Sequence, residues 1–487
     1  MASEEQGIPP EKAKELLESV SFELDTDLRL VAQKMELGKA ELLTDAIRLP
    51  FQDIQKDLER YVLSGGEEER ERLKKRMKNY LARLNANPLL PLHFRLKVLD
   101  RFERELDLFD GELAAATLNS HKIAIEMVQQ AAREHAEYLP TLLHMITGAV
   151  ELALRLLRLD IERYTPPHVL ALRQLFEIAR LGIAVAEALE EEHPAEVVAF
   201  RRALATHEII RAVDMFGYAR PQQQLIWKEL RHHIDHFVPF FVHRGEQPKK
   251  PIQGSVMITW YTKLHQRPEV QPQLPERFIA DAIVIPLDAG LERIVKAVDR
   301  AQKLVRHLVS KERVDLITEE ALRATLIGGQ ALLDGMRHIP RRAPRQQTPG
   351  KHVVLIWDAA KAITEARAMA VLEHYEEAPM ERMKRDAWMV RDLSASGAGL
   401  ERLWNKPLPG EVGSLVALSW IPHEGEPTLG YVRWAKEIKP GEWRLGVEFE
   451  TRAWRLLRAM PAYLHEEAEA RRFPILLRKE QDGVYAL

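Results

Sequence analysis

The sequence predicts a multidomain α+β protein, a mainly α-helical N-terminal region followed by a small antiparallel sheet or barrel. Three observations predict it. From Pro10 to about Val242, apolar residues recur at three- and four-residue intervals, the period of amphipathic helices. After His338 the pattern changes to short runs rich in β-branched and aromatic residues, each bounded by Gly, Pro, Asn or Asp. The 487 residues suffice for roughly two to four domains with cores of their own.

In chain order, the helical period is legible at 67–85, 92–118, 120–135, 142–164, 169–191 and 195–215. In LLHMITGAVELALRLLRLDIERY, residues 142–164, arginines interleave a continuous apolar face, as in a helix packed on its neighbours. Pro166 and Pro167 then open the next helix, where a missing N–H costs little. Helices so closely linked suit a bundle or an irregular solenoid over residues 1–242. The prolines, glycines and charges of HRGEQPKKPIQG, residues 243–254, mark a boundary. Beyond it SVMITWYTKL and RFIADAIVIPL carry strand chemistry, and a helix follows at about 318–337. Residues 255–337 are therefore expected as a mixed α/β segment, a degenerate small barrel plus helix being one form it could take.

Residues 338–487 begin with PRRAPRQQTPG, whose prolines exclude a regular helix. Strands are expected at KHVVLIW, DAWMVRDL, VGSLVALSW, LGYVRWAKEI and EWRLGVEFE, close enough together for a small antiparallel sheet or barrel. Residues 359–386 interrupt them with helical composition. In the extension ARRFPILLRKEQDGVYAL, a strand leads through an Asp482-Gly483 turn into the start of another.

Composition narrows the function classes. An apolar fraction of 46% with 29% charged residues is that of a soluble globular protein. Basic and acidic residues nearly balance, 70 − 73 = −3, so no global field draws the chain to nucleic acid or an anionic membrane, and any anion site must be local. The absence of cysteine excludes disulfides, thiolate zinc sites and cysteine nucleophiles, and fits a reducing compartment. The start lacks the basic-then-apolar order of a secretory signal, and no run of about 18 apolar residues is present, so a cytoplasmic protein without a membrane span is expected.

The stretch RDLSASGAGL, residues 391–400, reads as a strand leading into a special turn. Small polar residues with glycine expose backbone N–H groups and admit a ligand closely. They also build ordinary tight turns, so the stretch alone leaves both readings open.

Two motifs, with the strands around them, give residues 338–455 a recognisable form. Arg341-Arg342-Ala343-Pro344-Arg345 has RxxxR spacing ahead of the first strand, and Asp392-Leu393-Ser394-Ala395-Ser396-Gly397 fits [D/N]xSxxG. A later pair, GYVRWA and RLGVEFE, supplies two further strands. Together they resemble a PilZ domain, the bacterial receptor module for the second messenger cyclic di-GMP. The resemblance implies a small antiparallel PilZ-like β-barrel that binds the dinucleotide through Arg341, Arg342, Arg345, Asp392, Ser394 and Gly397. The chemistry is compatible with it. An arginine fork matches the O6/N7 edge of guanine and the phosphates, so Arg341 and Arg345 can close over the ligand, with Arg342 as helper. Asp392 can accept from guanine N1–H and N2–H₂, Ser394 offers a hydroxyl, and Gly397 removes a Cβ from the approach. Charge-assisted bonds contribute about 1.5–3 kcal/mol each and association costs at least ~4 kcal/mol, so three or four such contacts leave a micromolar-range complex. The insert at 359–386 would either cap such a ligand or distort its site.

Other chemistry finds little support. No GxxxxGK[ST] is present, Gly397-Ala398-Gly399 lacks the third glycine of a dinucleotide fingerprint, and no nucleophile, base and acid can be nominated together, so no enzyme is expected. His232 and His236 stand four apart, as two imidazoles on one helix face would, with His233, Asp235 and His243 nearby. No HExxH or third ligand at diagnostic spacing accompanies them, and neither a metal nor a cofactor is expected. The leading expectation is a cyclic di-GMP effector whose helical region addresses a protein partner. The alternatives are a helical interaction scaffold whose barrel binds no nucleotide and, against the balanced charge, a nucleic-acid binder using the basic linker.

Overall fold

Glu67, Glu68 and Glu69 open the helix Glu67–Ala86 and Arg83 lies in its last turn, charges that complement the helix dipole at both ends. This helix belongs to an array seen in a computed structural model, which describes residues 11, 14, 17, 51–63, 66–87, 90–105, 109–165, 167, 169–213, 215–248, 252–310, 320–336, 346–347, 351–357, 387–394, 397–404, 406, 408–421, 428–449, 454–459, 473–480 and 483–486. The described array runs α1 (Phe51–Leu63), α2 (Glu67–Ala86), α3 (Leu92–Glu103), α4 (Gly111–Glu134), α5 (Leu139–Glu162), α6 (Val169–Leu189), α7 (Pro194–Ala212) and α8 (Arg220–His233). The break expected near residue 119 is absent, and the described helices instead end at Glu103 and restart at Gly111. Asp110 causes the restart: its carboxylate accepts from the backbone N–H of Leu113 at 2.9 Å and caps α4. The apolar period continues across that cap, so periodicity alone misplaces it.

α5 is the central helix, packed on α4, α6 and α7. Its Leu142, Ile146 and Val150 join Phe102, Leu113 and Phe200 in one core. Gly182 on α6 makes the packing possible, because a Cβ there would stand 2.5 Å from the Phe200 ring.

Four short strands follow: β1 (Phe240–Val242), β2 (Val256–Trp260), β3 (Glu269–Gln271) and β4 (Ala282–Pro286), antiparallel in the order β1-β4-β2-β3. β2 is buried along its whole length, which is why its sequence shows no alternation. Among the described residues β1 and β3 do not pair, so this sheet is open. Then come α9 (Asp288–Ser310), α10 (Glu320–Arg323), a π turn (Ala324–Gly328) and α11 (Gly329–Gly335).

The chain divides into two compact units. One comprises Met1–Glu162, Pro167–Val213 and Gln224–His338; the other comprises Ile339–Leu487 with two short outlying segments, Arg163–Pro166 and Asp214–Gln223.

In the second unit the strands are β5 (Gln346–Gln347), β6 (His352–Ile356), β7 (Ala387–Ser394), β8 (Gly397–Leu403), β9 (Leu415–Ile421), β10 (Thr428–Lys439) and β11 (Glu442–Phe449). β7 pairs with β6 on one side and with β8 on the other, which closes β6 to β11 into a six-stranded antiparallel barrel. Alternate residues fill it: Val353, Leu355, Trp388, Val390, Leu400, Val416, Leu418, Leu445 and Val447. Tyr164, at a left-handed φ of 56°, also belongs to this core, and its carbonyl accepts from Glu437 N–H at 2.7 Å. A separate sheet of β12 (Trp454–Ala459), β13 (Phe473–Glu480) and β14 (Gly483–Ala486) contains the expected C-terminal hairpin, with Glu480 opposite Gly483. The insert at 359–386 lies outside the described residues. Among the described residues no helix is long and apolar enough to cross a membrane.

A buried charge network ties the first unit's helices to its sheet. Glu208 on α7 faces His207 Nδ1 at 2.8 Å and Arg211 Nη1 at 2.9 Å, and accepts from the Thr259 hydroxyl on β2. Arg211 also donates to the carbonyls of Leu264 at 2.8 Å and Gln266 at 3.2 Å. Burial alone would raise the Glu208 pKa, but the Arg211 guanidinium, His207 and Thr259 prevail and hold it at about 2. A carboxyl depressed in the fold stabilises it fully above the ordinary value of 4.5, and that contribution disappears as pH falls from there toward 2. Arg211→Ala strands the charge and is expected to cost about 3–5 kcal/mol near neutral pH. Urea unfolding at pH 7 and pH 3.5 checks both statements: the wild type should lose more stability on acidification than the variant.

Candidate ligand site on the barrel

Strict alternation from Trp388 and Val390, both in the barrel core, would point Asp392 inward. The β7–β8 register prevents this. Val390 opposes Leu400 and Asp392 opposes Gly399, so Arg391 is an extra residue and the ladder shifts there. The bulge puts Arg391 and Asp392 both on the outer face and returns Leu393 to the core, against which it packs. Arg391 is engaged outside by Glu401 at 3.2 Å, and Arg444 reaches the same carboxylate at 2.7 Å.

A second bulge does the same for an aromatic ring. In β10 the register shifts between Val432 and Trp434, so Trp434 turns outward between the core residues Val432 and Ala435. Trp434 opposes Gly446, Gly446 opposes Gly399, and Gly399 opposes Asp392. A row thus crosses four strands on the outer face: a carboxylate, two glycines and an indole. Both glycines lie directly under their neighbours' side chains. A Cβ at Gly399 would stand 2.7 Å from Asp392 Oδ2, and one at Gly446 only 2.0 Å from Trp434 Nε1. Acceptor and flat aromatic face therefore fold over the glycines from opposite ends, a combination suited to a planar, hydrogen-bonding ligand.

The predicted residues Asp392, Ser394 and Gly397 come together on this one hairpin, in which Ser394 opposes Gly397. The Ser394 hydroxyl donates to the Gly397 carbonyl at 3.2 Å. Gly397 answers to packing, because a Cβ there would meet the Val447 carbonyl oxygen of β11 at 2.3 Å. That packing explains why a strand stands where the sequence predicts a turn: β8 starts at Gly397 despite the poor strand propensity of glycine. On its other side β7 receives β5, with Gln346 opposite Leu393 and Gln347 opposite Asp392. Arg341, Arg342 and Arg345 lie outside the described residues.

Trp434 escaped the sequence reading. Glycine inside a strand pattern signals a close approach, and Gly446 in RLGVEFE carried that signal, but the partner becomes visible only with the register. Nearby, His233 Nε2 is 3.0 Å from Glu229, and Arg202 Nη2 donates to Asp235 at 2.7 Å. Among the described residues, no group of three ligating side chains includes His232 or His236.

Compared with known proteins, the chain matches no family model, no curated protein and no solved structure.

The two glycines of the hairpin should respond differently to a methyl group. Gly397→Ala sets a Cβ against rigid backbone and is expected to cost about 1–3 kcal/mol or more, whereas at Gly399 the Asp392 side chain can move aside at smaller cost. Guanidinium unfolding followed by tryptophan emission measures both; equal effects would contradict the packing described.

Proposed function

We propose that this protein is a bacterial, cytoplasmic, non-catalytic receptor of the PilZ type, which binds cyclic di-GMP on the outer face of its barrel and signals through its helical region to a protein partner. The pairing of β5 with β7 carries this reading. Gln346 follows Arg345 directly in the sequence and opposes Leu393, so the RxxxR segment is tethered one peptide from the strand that bears Asp392. Two motifs separated by more than forty residues in sequence, 345 to 392, thereby become candidates for one site.

In this reading the arginines take the phosphates and the O6/N7 edge of a guanine, while Asp392 accepts from N1–H and N2–H₂. The Trp434 indole, seated on Gly446, offers its outer face for stacking, and Gly399 makes room for the Asp392 carboxylate beside it. The response would travel by differential affinity: the ligand favours whichever arrangement of the RRAPR segment grips it. Arg163–Pro166 and Asp214–Gln223 group with the barrel while continuing in sequence into helical stretches, a covalent route for that response.

One observation favours a second reading, a scaffold whose barrel binds nothing. Ser394 closes the hairpin and Gly397 clears Val447, so two motif residues have structural uses that need no ligand. Isothermal calorimetry with cyclic di-GMP separates the two. The receptor reading expects micromolar-range binding, weakened roughly 30- to 100-fold, or about 2–3 kcal/mol, by Arg341→Ala or Arg345→Ala. Unchanged affinity in both variants would refute the pocket, and no binding by the wild type would favour the scaffold.

A further inference from the structure

The first unit holds a constellation that none of the sequence motifs announced. Asp100 and Glu103 lie three residues apart on α3 and so share a helix face. His144 of α5 approaches them: its Nε2 is 3.5 Å from Glu103 Oε2, and one donor atom from each of Asp100, Glu103 and His144 lies within 4.8 Å of the other two. Two donors bound at about 2.0–2.1 Å to one tetrahedral ion stand roughly 3.3–3.4 Å apart, close to the separation of the Glu103 and His144 atoms.

What distinguishes this group from a chance surface cluster is how Glu103 is held. His121 of α4 is fully buried, and its Nδ1 lies 3.0 Å from the Thr117 carbonyl oxygen. Its other nitrogen, Nε2, is 2.6 Å from Glu103 Oε1. One carboxylate oxygen is thus fixed by a histidine that is itself fixed by backbone, and the second oxygen is left toward His144 and Asp100. Orientation of a ligating carboxylate by an outer hydrogen-bond partner is what metal sites use to hold their geometry. The packing around the pair depends on Gly148, one turn beyond His144, where a Cβ would stand 2.2 Å from Glu103 Oε1 and 3.0 Å from His121 Nε2.

We propose that Asp100, Glu103 and His144 form a divalent metal site, with His121 as the positioning residue for Glu103. Two carboxylate oxygens and one imidazole suit zinc, and three protein ligands leave a fourth position for water. The His144 side chain is 52% exposed, which gives an ion a way in from solvent. The competitor is Arg104, whose Nη2 is 2.7 Å from Asp100 Oδ2. That pair is exposed, of the kind that yields readily.

The test uses the full chain, freed of metal by chelator and titrated with zinc chloride alone. Saturable binding near one equivalent is expected, and His144→Ala should weaken it at least about tenfold. Because His144 is exposed, the variant should keep the far-ultraviolet spectrum of the wild type. His232→Ala should bind zinc as the wild type does, since His232 stands apart from the group. Cobalt offers a spectroscopic reading of the same site, with visible absorption in the wild type that His144→Ala loses. Failure of the wild type to take up zinc, or equal affinity in His144→Ala, would overturn the proposal and leave an ordinary hydrogen-bonded pair of His121 and Glu103.

Discussion

One residue too many in a strand decides which side of the barrel bears a charge. Were β7 regular, the alternation that buries Trp388 and Val390 would drive Asp392 into the apolar interior, where an unpaired carboxylate is costly. The bulge at Arg391 resolves this conflict and has a positional consequence, since Asp392 emerges opposite Gly399 and beside Gln347. The bulge at Arg433 gives Trp434 its place by the same device. Bulges gather where a strand must re-aim a side chain, and here two of them aim at one row of the outer surface.

Much of the fold is legible in the sequence because its signals are local. Helical period and strand composition each report on neighbouring residues, and the α-helical region and antiparallel barrel follow from them. The strand β8 was not legible. Glycine argues against strand on propensity, and only the nearness of Val447 explains why nothing larger fits at Gly397. The outward aim of Asp392 was hidden for a related reason: a bulge is a relation between two strands, and one strand's residues do not announce it. Trp434 and the glycines beneath the indole and the carboxylate become a group only across four strands.

The helical unit teaches the same lesson about polar groups. Glu208, Arg211 and Thr259 come from a helix and a distant strand, and each looks unremarkable in its own segment. Arg95 is buried and donates to the carbonyls of Leu84 and Asn87 at the end of α2, so a residue readable as a solvated charge instead closes a helix terminus. Buried charges of this kind need their partners, and the partners fix where elements dock. Asp100, Glu103, His121 and His144 likewise gather from three helices without any spacing that a motif would capture.

The proposed receptor role requires one small ligand to meet both the arginine segment and the outer row of the barrel. The most direct measurement is a crystal structure of the full chain with cyclic di-GMP bound. A guanine edge is expected on the Asp392 carboxylate, with guanidinium groups of Arg341 or Arg345 on the same dinucleotide. A dinucleotide seated on another surface, or none at saturating concentration, would contradict it.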